Sequence, residues 1–263
     1  MNIIEVSNLT KKFKDFTAVD HISFNVQEGE IFAFLGPNGA GKTTTIKILT
    51  TLSQPTSGQV MIDGQDAILH QSKTRQTFGI VFQDSSLDDE LTAYENMHFH
   101  AVLYGMSKKV YQPRIEELLN FVELWDRRNE LVKNFSGGMK RRLEIARGFL
   151  HHPKIIFLDE PTLGLDPQTR NHIWTYVKKI NQEEGITVFL TTHYMEEAEK
   201  MADRIAIIDH GKIVGEGKVE ELKEKTKTNS LEDAFLNLTG SAIRDEQGGT
   251  ADNMRMRHRA WRR

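Results

Sequence analysis

An α/β fold is predicted, with a mainly parallel sheet, a small antiparallel β part at the start of the chain and a mostly helical insertion. Three observations predict it. Short apolar runs alternate with helix-spaced segments, the pattern of strands covered by helices. The run Ile31–Leu35 is uninterrupted and apolar, as in a strand buried on both faces, and leads straight into a glycine-rich loop. From about residue 84 to 150 the alternation gives way to helical spacing alone.

The elements follow in order. Residues 3–7, 22–26 and Ile31–Leu35 read as strands, separated by turns such as Gln27-Glu28-Gly29-Glu30. Residues 43–49 read as a helix and 79–82 as a strand. Residues 91–104, 112–124 and 136–150 carry apolar side chains at helical spacing. The alternation then resumes with strand 155–158, helix 168–183, strand 187–190, helix Met195–Met201 and strand 205–208. A small hairpin is expected at Lys212–Gly217 and a last short helix at 230–238. Residues 1–240 thus form one expected domain with its insertion at about 84–150, and 241–263 form a tail. The tail is first polar and glycine-containing, then carries Arg255, Arg257, Arg259, Arg262 and Arg263 with no acid among its last ten residues. It reads as a disordered, solvated terminus; the alternative is attraction to anionic lipid headgroups.

Composition bounds the function. The 263 residues are 38% hydrophobic, enough for a sizeable core. A formal net charge of -3 gives no reason to expect nucleic acid. The apolar runs are far shorter than the roughly 20 residues needed to cross a bilayer. The opening Met1-Asn2-Ile3-Ile4-Glu5 lacks the basic and long apolar regions of a signal peptide. With no cysteine, disulfides and thiol catalysis are excluded. A soluble cytoplasmic protein is expected.

Gly36-Pro37-Asn38-Gly39-Ala40-Gly41-Lys42-Thr43, followed by Thr44, fits G-x-x-x-x-G-K-[ST] at every defined position, after a strand and before a helix. Such a P-loop turns tightly, so successive N–H groups converge on phosphates at the positive end of a helix dipole. Lys42 is expected on the β- and γ-phosphates and the Thr43 hydroxyl on Mg²⁺. The motif alone leaves kinase, GTPase and transport ATPase open. Strand 155–158 ends in Asp159-Glu160, at the strand end where open α/β sheets bind ligands. Asp159 is suited to hold Mg²⁺, and Glu160 to act as the base on an attacking water. Without the P-loop this pair would be an ordinary acidic strand end.

Between these motifs lies Phe135-Ser136-Gly137-Gly138-Met139. It resembles the signature motif of ABC transporter ATPases, usually written LSGGQ, and the following Lys140-Arg141-Arg142-Leu143-Glu144-Ile145-Ala146-Arg147 is also similar to that family. The resemblance covers about residues 3–240. It implies a P-loop NTPase of the ABC ATPase type that binds ATP and Mg²⁺, dimerises with its own copy or a homologue, and drives a separate integral membrane permease from the cytosolic face. Ser136, Gly137 and Gly138 would then contact the γ-phosphate held by the other subunit. Gln83 resembles the glutamine that senses Mg²⁺, Gly164-Leu165-Asp166 the loop at the dimer seam, and His193 the switch histidine on the γ-phosphate. Phe13 sits where the family stacks an aromatic on adenine, with Phe16 as the alternative. Taken singly, each would be a polar cap or a core ring. Phe135 and Met139 depart from the usual Leu and Gln. This form of signature, with the closing segment 231–240, resembles the daunorubicin-resistance-type exporters. The other function class considered is a soluble ABC-type ATPase of translation or DNA repair. One cassette, no cysteine for zinc, and only 94 positions between Lys42 and Ser136 speak against it.

Overall fold

The computed structural model describes residues 1–240; the polar and basic tail lies outside the described residues. Strands β1 (Asn2–Phe13) and β2 (Phe16–Gln27) form a long hairpin, β3 (Ile31–Leu35) follows, and α1 (Lys42–Leu49) begins after the glycine-rich loop. Next come β4 (Ser57–Ile62), the two-residue β5 (Gln65–Asp66), α2 (Gln71–Thr77) and β6 (Phe78–Val81). Then α3 (Ala93–Leu103), α4 (Lys108–Phe121) and α5 (Gly137–Gly148) follow one another, with short 3₁₀ turns at Trp125–Arg127 and Val132–Asn134. The alternation resumes with β7 (Ile155–Asp159), α6 (Pro167–Glu184), β8 (Thr187–Thr192), α7 (Met195–Met201) and β9 (Arg204–Asp209). Strand β10 (Lys212–Gly217) and helices α8 (Val219–Thr226) and α9 (Leu231–Thr239) complete the described chain.

The strands form two sheets. One is antiparallel, in the order β2-β1-β4-β5; the other has the order β10-β9-β3-β8-β7-β6 and is parallel except for its edge strand β10. Strand periodicity divides the core in two. Ile31, Ala33 and Leu35 of β3 pack on one side, with Ile156 and Leu158 of β7, Val188 and Leu190 of β8, and the helices α3 to α6. Phe32 and Phe34 point the other way, into a cluster with Ile155, Phe157, Phe189 and the antiparallel sheet. Phe24 of β2 stacks on Phe32 with ring centroids 5.7 Å apart, so the second sheet is clamped to the first through aromatic faces.

Several expectations change. The first two strands are 12 residues each, not five, because backbone pairing continues to the hairpin tip through the polar, largely exposed stretch Lys11–Phe13. Residues Lys212–Gly217 are a single strand whose hairpin partner is β9. The helix expected from residue 112 begins at Lys108, with Pro113 inside it. A proline that early removes little more than one backbone hydrogen bond, which packing of Tyr111, Ile115 and Leu118 offsets. Strands β4 and β5 and helices α2 and α8 were not expected. For function the parallel register matters most. Leu35 pairs with Thr192, Asp159 with Thr191, and Val81 with Leu158, so the exits of β3, β8, β7 and β6 share one edge.

Candidate functional site

The loop between β3 and α1 is shaped by its glycines. A Cβ on Gly36 would lie 2.4 Å from the Ile208 carbonyl oxygen. Gly41 has φ 115°, and its Cβ would lie 2.6 Å from the Ala18 carbonyl oxygen. No other residue allows this approach of β9 and β2 to the loop. Ala40 is buried, Pro37 and Thr44 are half-buried, and Asn38, Gly39 and Thr43 are exposed at the start of α1. Lys42 is buried; its Nζ donates to the carbonyl oxygens of Gly36 at 2.7 Å and Pro37 at 3.3 Å, and lies 3.6 Å from Glu160 Oε1. Burial holds this ammonium below its usual pKa, opposed by Glu160 and then Asp159.

Two carboxylates close this edge. Asp159 ends β7, and Thr191 of β8 donates its hydroxyl to Asp159 Oδ1 at 2.6 Å. Burial pushes the Asp159 carboxyl up; the Thr191 bond opposes this, Glu160 adds to it, and Lys42 and the Thr43 hydroxyl oppose it. Glu160 takes the left-handed conformation, φ 49°, which costs a non-glycine residue about 1 kcal/mol. Its N–H is held by the Thr191 carbonyl at 3.1 Å. This turn places Oε1 beside Lys42 and Oε2 2.6 Å from Nδ1 of His193, the residue after β8. So short a contact needs one proton between the imidazole and the carboxylate. Behind His193, buried Glu197 accepts from Thr162 at 2.6 Å and Thr192 at 3.1 Å and pairs with Arg170 at 3.2 Å.

A second patch lies apart from this cluster. Ser136 is exposed and caps α5 by accepting from the Met139 N–H at 3.3 Å. Gly137 is exposed, and a Cβ on Gly138 would sit 3.0 Å from Thr169 Cγ2. Asp166 caps α6, accepting from the Thr169 N–H at 2.9 Å and hydroxyl at 2.7 Å; these bonds hold its carboxyl below the usual range. The Ser136–Gly138 turn and Asp166 are therefore neighbours, while none of the contacts among the described residues joins Ser136 to Lys42. Phe135 and Met139 are buried, so both departures from the usual signature lie in the core, while Ser136, Gly137 and Gly138 match it. Gln83 is exposed two residues beyond β6, level with Glu160 by register. Phe13 and Phe16 face each other at the tip of the β1–β2 hairpin, 50% and 61% exposed, with Lys11 Nζ 4.9 Å from the Phe13 ring centre.

Arg141 and Glu144 carry a link between these regions that the sequence reading did not single out. The buried Arg141 guanidinium donates to the carbonyl oxygens of Pro161 at 2.6 Å, Asp159 and Glu160 each at 3.1 Å, and Phe82. It also bonds Glu144 Oε2 at 3.2 Å, and Glu144 Oε1 accepts from the Ser86 N–H at 2.6 Å. In the sequence Arg141 stands in the basic run after the signature turn, where it carries only the family resemblance. Its i,i+3 spacing to Glu144 was the available signal.

Among the described residues no group of three His, Cys, Asp or Glu side chains could hold a metal ion alone. The Thr43 hydroxyl and Asp159 carboxylate nonetheless fit Mg²⁺, which takes hard oxygen ligands and commonly only one or two from protein beside phosphate and water. The Thr43 hydroxyl lies near enough to Asp159 to help hold its carboxyl down.

Similarity to known proteins agrees with this geometry. The profile of the ABC transporter family matches residues 19–163. The chain is 42% identical over 228 residues to the daunorubicin/doxorubicin resistance ATP-binding protein DrrA of Streptomyces peucetius, covering 87% of this chain and 69% of that protein. It is 40% identical over 243 residues to the linearmycin resistance ATP-binding protein LnrL of Bacillus subtilis (strain 168), covering 92% of this chain and 76% of the relative. A dimeric ATP-binding cassette, solved in a post-hydrolysis state with ADP and Pi, superposes with a TM-score of 0.74 at 33% identity, covering 82% of this chain and 98% of the other. The chain belongs to the ABC transporter family, as an ATP-binding subunit that hydrolyses ATP.

Proposed function

We propose that this subunit powers an ABC exporter, with ATP held between two subunits and hydrolysed by Glu160. The observation that carries the reading is the Glu160 carboxylate held between Lys42 at 3.6 Å and His193 at 2.6 Å, at the mouth of the P-loop. The resistance functions in the names of its relatives support export. The soluble alternative has no observation in its favour.

The geometry and the family resemblance together support these roles. The backbone N–H groups from Gly36 to Thr44 cradle the phosphates, and Lys42 exchanges its carbonyl contacts for phosphate oxygens. Thr43, Asp159 and Gln83 would hold Mg²⁺, which would neutralise charge on the β- and γ-phosphates. Glu160 accepts the proton of the attacking water, and His193 fixes the carboxylate and faces the γ-phosphate. Phe13 stacks on adenine. Ser136, Gly137 and Gly138 offer their hydroxyl and N–H groups to the nucleotide of a second subunit, with Asp166 at the seam. A two-fold dimer, of two copies or of this chain with a homologue, completes two such sites. Residues 1–240 act as one ATPase unit. Its insertion at about 84–150 carries the motion to an integral membrane permease, with 85–95 as docking wall, so the chain works peripherally on the cytosolic face.

The test is Glu160→Gln. The amide keeps the shape but not the basicity, so phosphate release falls roughly 10²- to 10⁴-fold while ATP binding persists. Sedimentation with ATP then shows a trapped dimer. Near-normal phosphate release by this variant removes Glu160 from the base role.

A further inference from the structure

Helix α5 touches both halves of the chemistry within one chain. Its first turn presents Ser136 and Gly137 outward. One and a half turns later, the Arg141 fork grips the turn Asp159–Glu160–Pro161 and the Phe82 carbonyl immediately before Gln83. Glu144 holds the Ser86 N–H at 2.6 Å, and Arg147 donates to the Ser86 carbonyl at 3.0 Å. Arg141, Glu144 and Arg147 are spaced by three, so one face of a rigid helix binds the Glu160 turn and the loop after β6 together.

We propose that Arg141, braced by Glu144, is a positioning residue that couples the two ATP sites of the dimer: movement of Ser136 against the partner's nucleotide is passed along α5 to Glu160 and Gln83 of its own chain. The proposal rests on the composite-site reading above. Its physical basis is the planar guanidinium. Arg141 binds four backbone carbonyl oxygens and one carboxylate in fixed directions, so the loops cannot shift relative to the helix without breaking several bonds at once. A lysine supplies the charge but not the fork. Arg141 touches neither Lys42 nor the P-loop, so binding of ATP by one chain should depend on it far less than turnover does.

The experiment compares the full chain with Arg141→Gln, Arg141→Lys, Glu144→Gln and Glu160→Gln. It measures equilibrium binding of a fluorescent ATP analogue, steady-state kcat and KM over ATP concentration, and sedimentation in ATP. Arg141→Gln and Arg141→Lys should each bind the analogue within about threefold of wild type while kcat falls roughly tenfold or more, the range of couplings between residues in contact. Both should accumulate the ATP-bound dimer, because the signature face is intact while Glu160 is misplaced. Glu144→Gln, which keeps the shape of the brace, should show a smaller fall in kcat; it keeps the test decisive if the Arg141 variants do not fold. Wild-type kcat in all three variants overturns the proposal. So does full rescue by lysine, or loss of kcat together with binding and dimer formation, which marks a merely structural role. Normal hydrolysis by Glu160→Gln instead overturns the composite-site reading itself, independently of the Arg141 results.

Discussion

The P-loop edge and the signature turn both gather phosphate-binding groups at a helix start, yet they are built in opposite ways. At the P-loop edge Lys42, Asp159, Glu160 and Thr191 are buried, and the polar side chains engage one another: Lys42 with Gly36, Pro37 and Glu160, Asp159 with Thr191, and Glu160 with the exposed His193. At the signature turn Ser136 and Gly137 are exposed, and among the described residues the Ser136 hydroxyl accepts only from its own helix, at Met139. The first region is a site that one chain assembles. The second is an exposed turn, and none of the contacts among the described residues joins Ser136 to Lys42. On the function proposed here, binding and hydrolysis belong to different levels of assembly, and variants can separate them.

The largest effect is expected at the P-loop edge. Lys42→Ala removes the phosphate countercharge and leaves Glu160 without its buried cationic neighbour. Binding of a fluorescent ATP analogue should weaken and phosphate release should fall about 10²- to 10³-fold, the scale of losing a charge-stabilising donor. Equal analogue binding by wild type and variant would place the phosphates elsewhere.

A smaller effect, and of another kind, is expected at the signature turn. Ser136→Ala removes a cap worth about 1 kcal/mol to α5 and the hydroxyl offered to the partner's nucleotide. Analogue binding by the single chain should be unchanged, while steady-state hydrolysis falls roughly tenfold to a hundredfold. Mixing the Ser136→Ala and Lys42→Ala chains should restore activity above either alone, since a mixed dimer keeps one site with both halves intact. Absence of any recovery over a range of mixing ratios would show that the two regions do not complement each other across chains.

The same contrast explains what was legible from the sequence. Motifs whose function lies in backbone shape were readable because glycine and proline positions are informative by themselves: Gly36 and Gly41 are required by sterics at Ile208 and Ala18. Strands buried on both faces, β3, β7 and β8, were readable from unbroken apolar runs. The antiparallel edge was less so. Strand β4 buries only Val60 and Ile62, and α2 buries only Thr74, so neither has a period to detect. Arg141 was hidden for a different reason. Its carbonyl partners come from Phe82 and from Asp159 to Pro161, and acceptors on the backbone leave no trace in residue identity.

The smallest effect concerns acid, and it acts through the helical segment that carries the signature turn. His100 of α3 and His151, just beyond α5, have ring centres 5.6 Å apart, and Tyr104 stacks on His151 at 3.7 Å. Burial pushes His100 down to about 3, with Arg147 and then His151 adding to the effect. Burial pushes His151 down to about 4, opposed by its bond to the Phe78 carbonyl and aided by His152. Both folded values lie below the unfolded value of about 6.5. Above that pH both states are neutral at these positions and stability is unaffected. Below it the unfolded chain takes up protons that the folded one refuses, so stability falls as pH drops toward 4, by about 1.4 kcal/mol per unit for each histidine. His100→Phe keeps a ring and removes one such proton, recovering about 2 kcal/mol at pH 5, or about 4–8 °C in Tm. Calorimetry at pH 7 and pH 5 should therefore show a smaller drop for the variant. Amide exchange at pH 5 should accelerate first in α3 and α5, with α1 and β3 still protected, because the half-buried His100 and His151 sit on the helical side. Identical drops in the two proteins, or loss of protection at α1 before α3, would detach acid sensitivity from the segment that carries Ser136.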